Sequence, residues 1–135
     1  MKLLLTRDSV AIGDDINAPH LKETAIDESA TSLDLARQIL KMRYLANIGT
    51  GEATWSMATD IPVAIIAQQW EEPKLISPAN STVKELAKGE DCLEVHINYH
   101  CQEDPDETLE KLKNEAVARA TIQAHAVGRR QSRRR

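Results

Sequence analysis

The chain has 135 residues, of which 41% are hydrophobic, and its formal net charge is -4. This length predicts one domain with a single core, and the composition is globular rather than disordered. Five arginines lie in the last seven residues, RRQSRRR; without them, 12 basic residues face 21 acidic ones, a net charge of -9. We therefore expect an acidic domain over 1–128 and a basic tail at 129–135. An acidic body repels phosphate, which disfavours nucleic-acid binding except through the tail and favours a basic protein partner.

Hydropathy and cysteine content bear on the compartment. No segment approaches the roughly 20 apolar residues of a membrane span, and the apolar run in MKLLLTRDS is shorter than the roughly 7–15 residues of a secretory signal core. The two cysteines are typical of reduced thiols rather than of a disulfide framework. We therefore expect a cytoplasmic protein that does not associate with a membrane.

Five segments show the patterns of strands or loops. The apolar run at 2–6 predicts a strand, turn-forming residues at 13–20 predict a loop, and 22–26 is a second candidate strand. The segment at 53–58 alternates apolar and polar residues, which predicts a half-buried strand. The apolar run at 63–70 predicts a central strand paired with the preceding one.

Three segments show the patterns of helices. A helix is predicted over 31–45, a short one over 80–89 and a long one over 104–128, because each begins with a capping residue. Asp104-Pro105 is a strong start, since proline fits the first helical position. Together the elements predict a single-domain α+β fold: a mostly antiparallel sheet of four to five strands, two long helices and one short helix. The expected buried faces are Leu33, Ala36, Ile39, Leu40 and Tyr44 in the first helix and Leu109, Leu112, Ala116 and Ala120 in the last.

The stretch DCLEVHINYHC, residues 91–101, holds two cysteines and two histidines. Its alternation predicts a strand with Cys101 in the core. On a strand, His96 and His100 are separated by roughly 13 Å, whereas one zinc needs each nitrogen about 2 Å away. The stretch alone therefore predicts no metal site, although His20 could complete one from elsewhere. The expected faces are Leu93, Val95, Ile97, Tyr99 and Cys101 on the apolar side and Cys92, Glu94, His96, Asn98 and His100 on the polar side.

Six residues are candidates for contact with a partner. Asp14 and Asp15 form an acidic turn, and such a pair could also hold Mg²⁺ or do acid–base work. A second acidic pair follows Trp70, and a carboxylate and an imidazole share the polar side of the 91–101 strand. No phosphate-loop or nucleophile motif accompanies them, so no catalytic residue and no cofactor are predicted. The predicted partner contacts are Asp14, Asp15, Glu71, Glu72, Glu94 and His96.

Four short segments resemble a known class of proteins. TRDSV at 6–10, GDD at 13–15, APH at 18–20 and IAQQW at 66–70, in a short acidic α+β chain, resemble small bacterial immunity-type proteins encoded beside polymorphic toxins. The resemblance covers residues 1–76. It implies a non-catalytic inhibitor that binds a cognate toxin domain in the cytoplasm, and it assigns no individual site residue.

Charge and the motif survey lead to one hypothesis with two alternatives. The first is a non-catalytic protein-binding module, an immunity-type inhibitor that neutralises a basic toxin domain by occluding its active cleft, because an acidic surface speeds encounter with a basic one. The second is a small metal-dependent enzyme or metal-binding protein that uses His20, His96, His100 and the pair Asp14/Asp15. The third is a protein that contacts nucleic acid through its arginine-rich tail.

Overall fold

The computed structural model of the protein describes residues 1–8, 21–42, 44–45, 51–77 and 79–118. In this part of the chain, six strands form one mixed sheet and three helices pack on its two faces. The predicted α+β class is therefore confirmed. Several predicted features lie outside the described residues: the loop at 13–20 with Asp14, Asp15 and His20, and the arginine-rich tail at 129–135.

Short strands and helices follow one another closely along the chain. The strands are β1 (Lys2–Arg7), β2 (Leu21–Ala25), β3 (Thr54–Ala58), β4 (Pro62–Ala67), β5 (Lys74–Leu75) and β6 (Cys92–Tyr99). The helices are α1 (Ser32–Lys41), α2 (Val83–Ala87) and α3 (105–118). Among these strands the order is β2-β1-β6-β3-β4-β5, with β1 and β6 parallel and every other neighbouring pair antiparallel.

The sheet differs from the predicted one in two details. It has six strands rather than four or five, because the two residues of β5 pair with β4 at the sheet edge. A strand of two residues is too short to show alternation. The prediction of a mostly antiparallel sheet also does not specify its one parallel pair among these strands, in which β6 lies beside β1. Local sequence patterns do not report such a distant pairing.

Helix α1 is capped as expected but ends earlier. Thr31 Oγ1 accepts the Asp34 N–H, and the Asp34 carboxylate accepts the Thr31 N–H, which completes a capping box. The helix ends at Lys41 rather than near residue 45. The predicted buried face is wrong at Leu40, which is 37% exposed, and Leu33 is only partly buried, because α1 buries Leu35 instead. Its buried residues are Ser32, Leu35, Ala36 and Ile39.

Caps also fix the starts of α2 and α3. In α2, Thr82 Oγ1 accepts the Glu85 N–H and the Glu85 carboxylate accepts the Thr82 N–H. Backbone hydrogen bonds tie this end of α2 to the start of α1. Helix α3 begins at Pro105, as predicted, and the Asp104 carboxylate accepts the Glu107 N–H at 3.0 Å.

The two faces of the sheet are packed very differently. On one, the covered face, α1 and α2 enclose a large apolar cluster. On the other, α3 packs over β4 through a small cluster of Ile65, Ile76 and Leu112, with Trp70 and Leu109 at its margin. Next to α3, the same side of β1 and β6 carries polar residues and is called the polar face. The largest fully buried members of the covered-face cluster are Leu3, Leu5, Leu35, Ile39, Trp55, Met57, Ile66, Val83, Val95 and Ile97.

Two predictions about burial are wrong. Strand β3 is expected to be half-buried, yet Thr54 and Ser56 are buried along with its apolar residues. The reason is that β3 lies inside the sheet and is covered on both sides. Cys101 is expected in the core but is exposed, in the turn after β6. Strand β6 ends at Tyr99, so the alternation stops before it can direct Cys101 inward.

Candidate functional site

The alternation of β6 places its polar residues on one face, as predicted. Its central apolar residues are buried on the covered face, whereas Glu94 is exposed and His96 partly exposed on the polar face. In the parallel register, His96 lies beside Thr6 of β1. Asp8 follows β1 two residues after Thr6 and therefore directs its side chain to the same face.

A hydroxyl, an imidazole and a carboxylate are hydrogen-bonded in series on the polar face. Thr6 Oγ1 lies 2.7 Å from His96 Nδ1, and His96 Nε2 lies 2.8 Å from Asp8 Oδ1. The backbone fixes the carboxylate, since the Tyr99 N–H donates to Asp8 Oδ2 at 2.9 Å and the Asp8 N–H donates to the Ile97 carbonyl at 3.0 Å. The side chains of His96 and Asp8 are 41% and 43% exposed. This group, the Thr6–His96–Asp8 chain, is therefore both ordered and reachable from solvent.

The Asp8 carboxylate determines which atoms donate and which accept in the Thr6–His96–Asp8 chain. A carboxylate can only accept, so Nε2 of His96 carries the proton that it donates to Asp8. In the neutral imidazole, Nδ1 is then unprotonated and accepts the hydroxyl proton of Thr6. Neutral His96 is thereby placed to act as a base toward the Thr6 hydroxyl.

A second hydroxyl–imidazole pair lies deeper, under α3. Ser56 Oγ is 2.7 Å from His100 Nε2, and Ser56 is only 2% exposed. Burial lowers the pKa of His100, since the interior disfavours the imidazolium, and Lys111 of α3 lowers it further. The carboxylates of Glu103, Asp8 and Glu115 oppose this shift without cancelling it. The neutral form of His100 is therefore favoured in the folded protein.

The two histidines of β6 and its following turn do not converge on a metal. Each bonds a different hydroxyl, and both ring nitrogens of His96 already have protein partners. Among the residues that the structure describes, no group of three or more His, Cys, Asp and Glu side chains could hold a metal ion. The metal-binding alternative depends on His20, Asp14 and Asp15, which are outside those residues.

A surface groove of about 560 Å³ lies at the start of β6, the end of the strand away from His100. The end of α2, the turn between β3 and β4, and the start of β6 form its walls. Glu94 belongs both to this groove and to the polar face, so the two regions adjoin. The lining residues are Thr59, Asp60, Leu86, Ala87, Lys88, Glu90, Asp91, Cys92, Leu93 and Glu94.

The groove is negatively charged. Among the described residues, Lys88 is the one cation that lines it; Lys88 forms an ion pair with Asp60, and a hydrogen bond from that ammonium lowers the pKa of Asp60. Glu90, Asp91 and Glu94 are exposed and form no ion pair within the described part of the chain. Three carboxylates of the groove are therefore available to a cation from outside.

The structure divides the predicted partner contacts. Glu94 and His96 lie together on the polar face. Glu71 and Glu72 lie in the turn between β4 and β5, where Glu72 accepts a hydrogen bond at 2.8 Å from Arg37 of α1, the helix of the covered face. Strands β3 and β4 separate this turn from β6, so the two acidic regions do not form one patch.

Trp70, which precedes this acidic pair, packs inward. It lies at the margin of the cluster under α3 and is only partly exposed. The ammonium of Lys74 lies 4.2 Å from the centroid of its ring, and the same ammonium is 3.5 Å from an Asp106 carboxylate oxygen of α3. These contacts secure the β4–β5 turn and β5 to α3.

Sequence reasoning missed the partners of the histidines. Thr6 and Asp8 alternate with the buried Leu5 and Arg7, a pattern that does indicate a shared polar side for β1. The parallel pairing of β1 with β6 brings this polar side next to His96, and the sequence contains no local signal for that pairing. The acidic groove was missed for the same reason, because it joins segments from α2, β3–β4 and β6.

Comparisons of the chain with models of protein families, with curated proteins and with solved structures found no match. None of the helices in the described ranges is both long enough and apolar enough to cross a bilayer. Function must therefore be argued from the geometry and charge of the chain itself.

Proposed function

We propose that the protein is a protein-binding module, an immunity-type inhibitor in the cytoplasm that neutralises a basic toxin domain by occluding its active cleft. The binding surface consists of the acidic groove and the adjoining polar face of β6. One observation carries the proposal: Glu90, Asp91 and Glu94 surround a groove and have no ion-pair partner among the described residues.

The groove suits lysine and arginine side chains because it combines apolar and acidic walls. Leu86, Ala87 and Leu93 can contact the aliphatic part of such a side chain, while the carboxylates around them meet its charged end. Some acids elsewhere are already engaged within the molecule, as Glu72 is with Arg37. The carboxylates of the groove can bind a cation without breaking an internal pair.

The overall charge supports the same function. Residues 1–128 carry a net charge of -9, and a toxin domain that acts on nucleic acid needs a basic surface to hold phosphate. Opposite fields steer two proteins together and raise the association rate. Salt screens this attraction over about 8–10 Å at physiological ionic strength, so the rate depends on salt.

The first experiment isolates the partner and measures its association. We expect the protein, used as bait in an extract of its native host, to retain a basic protein that inhibits growth when expressed alone. Association of the two purified proteins should slow markedly between about 0.05 M and about 0.5 M salt. An on-rate that is independent of salt, or a partner with no toxicity to neutralise, would contradict the proposal.

Two cysteines supply a footprint of the binding surface. Cys92 lines the groove, whereas Cys101 is exposed in the turn before α3, next to Glu103 and Asp104. Both thiols therefore have acidic neighbours, and only one belongs to the groove. The purified partner should slow alkylation of Cys92 by iodoacetamide and leave that of Cys101 unchanged, measured in the variants Cys101→Ser and Cys92→Ser. An alkylation rate of Cys92 that the partner leaves unchanged would place the interface elsewhere.

A further inference from the structure

We propose that the Thr6–His96–Asp8 chain is a nucleophilic site that cleaves small carboxylic esters. This activity goes beyond the binding proposed above and does not depend on it. The geometry carries the inference: Thr6 Oγ1 is 2.7 Å from one ring nitrogen of His96, and the Asp8 carboxylate is 2.8 Å from the other. A nucleophile, a base and a group that orients the base recur on unrelated folds and are recognised by geometry rather than by order in the chain.

The orienting group is fixed independently of the histidine. Asp8 Oδ2 accepts the Tyr99 N–H, and the backbone of Asp8 extends the β1–β6 ladder by one hydrogen bond. The position of the carboxylate therefore does not depend on the imidazole. Because the carboxylate accepts the proton on Nε2 of His96, Nδ1 of the neutral ring is unprotonated and faces Thr6. These two hydrogen bonds between Asp8 and the backbone of β6 hold the Thr6–His96–Asp8 chain in one geometry, and acyl transfer requires groups that are positioned in advance.

Accessibility distinguishes this chain from the second hydroxyl–imidazole pair. His96 and Asp8 are both more than 40% exposed and Thr6 is partly exposed, whereas Ser56 beside His100 is 2% exposed. An ester can approach Thr6 from the open strand face but cannot reach Ser56. Because Thr6 lies on a strand face rather than inside the groove, the site suits a short acyl group with little bulk around its carbonyl.

The reaction has two balanced steps. Thr6 Oγ1 forms a bond to the acyl carbon while its proton passes to Nδ1 of His96; the ester C–O bond then breaks, and the departing alkoxide takes that proton. Water next adds to the threonyl ester, gives a proton to His96, and Thr6 Oγ1 leaves with that proton to restore the free hydroxyl.

The test uses the full-length protein and p-nitrophenyl acetate. We expect release of p-nitrophenolate with an acetyl group found on the peptide that contains Thr6, and a rate that rises with pH because only an unprotonated Nδ1 of His96 can accept the Thr6 proton. Thr6→Val, which keeps the side-chain shape, and His96→Gln should each lower the rate about hundredfold or more, the usual contribution of a general base. Thr6→Ser should retain activity, because it keeps the hydroxyl.

Two further variants distinguish catalysis from a structural role. Asp8→Asn should lower kcat without a matching change in KM and should alter the pH profile, since Asp8 acts by positioning His96. The matched control is Ser56→Ala, which removes the other hydroxyl partner of an imidazole and should leave the rate unchanged; thermal unfolding of each variant confirms its fold. A Thr6→Val protein as active as the parent, acetylation confined to lysines, or a parent rate no greater than that of free imidazole would each overturn the inference.

Discussion

The two faces of the sheet use the same strands for different purposes. On the covered face, β1, β3 and β6 contribute apolar side chains to a core that α1 and α2 enclose. On the opposite side, the same strands present hydroxyls, imidazoles and carboxylates, and α3 covers the sheet through a small cluster around Ile65 and Leu112. Stability is therefore concentrated on one face, and the groups capable of binding or chemistry on the other.

This separation shows how a small domain can carry a polar surface with little loss of stability. A strand places successive side chains on opposite faces, so the residues that build the core constrain their neighbours in position but not in chemistry. Strand β6 illustrates this with Val95 and Ile97 buried on one side and Glu94 and His96 exposed to solvent on the other. Substitutions on the two faces should accordingly change different measurable quantities.

The largest expected effect is on the free energy of unfolding. It is measured by making the same substitution, leucine to alanine, on each face of the sheet. Leu35 is fully buried in the covered-face cluster, whereas Leu112 is 9% exposed in the small cluster under α3. Leu35→Ala should lower the free energy of unfolding by about 4 kcal/mol and Leu112→Ala by about 2 kcal/mol, the upper and lower parts of the range for such deletions. Urea denaturation measures both, and equal losses would remove the distinction between the faces.

A smaller effect, on association rather than stability, is expected at the groove. Replacing Glu90, Asp91 and Glu94 by Gln, Asn and Gln should slow association with the basic partner about tenfold at low salt and leave the unfolding midpoint nearly unchanged. The matched control removes three charges elsewhere, at the exposed Glu52, Glu107 and Glu110. If the control slows association as much, net charge rather than the groove guides the partner.

The sequence alone could predict those features that depend on nearby residues. The cap of α1 at Thr31 and the Asp104-Pro105 start of α3 both occupy a few consecutive positions, and a cap at residue 31 or 32 and this helix start were both predicted. The alternation of β6 was predicted as well, because the period of two is visible within eight residues. For the candidate site, this was enough to place Glu94 and His96 on a common polar side.

Features that depend on distant segments could not be predicted. The parallel pairing of β1 with β6 brings Thr6 and Asp8 to His96, and nothing near either segment indicates it. The burial of Ser56 likewise follows from α3 covering β3, which a strand pattern alone does not show. Cys101 was predicted to be buried and is exposed, because the predicted alternation continues past Tyr99, where β6 ends.

On the side of the sheet under α3, stability should depend on pH through His100. The folded state lowers the pKa of His100 from its ordinary value of 6.5, chiefly through burial. The unfolded chain then binds a proton more readily than the folded one, so this contribution to stability is present above about pH 6.5 and is lost as the pH falls through that region. The unfolding free energy should fall between about pH 7.5 and about pH 5.5, and His100→Gln should reduce that dependence. An unchanged slope in the variant would show that His100 is not responsible.

The smallest effect is expected at the acidic turn between β4 and β5. Glu71 and Glu72 are predicted contacts from the sequence, but the turn lies two strands away from β6, and Glu72 already binds Arg37. Because an exposed ion pair contributes little, Glu72→Gln should leave the unfolding midpoint within error, and the double variant Glu71→Gln/Glu72→Gln should slow association less than the groove variant does. Stopped-flow association at one low salt concentration compares the two directly. A larger loss at this turn than at the groove would move the binding surface to the α1 side of the molecule and reverse the functional assignment of the two faces.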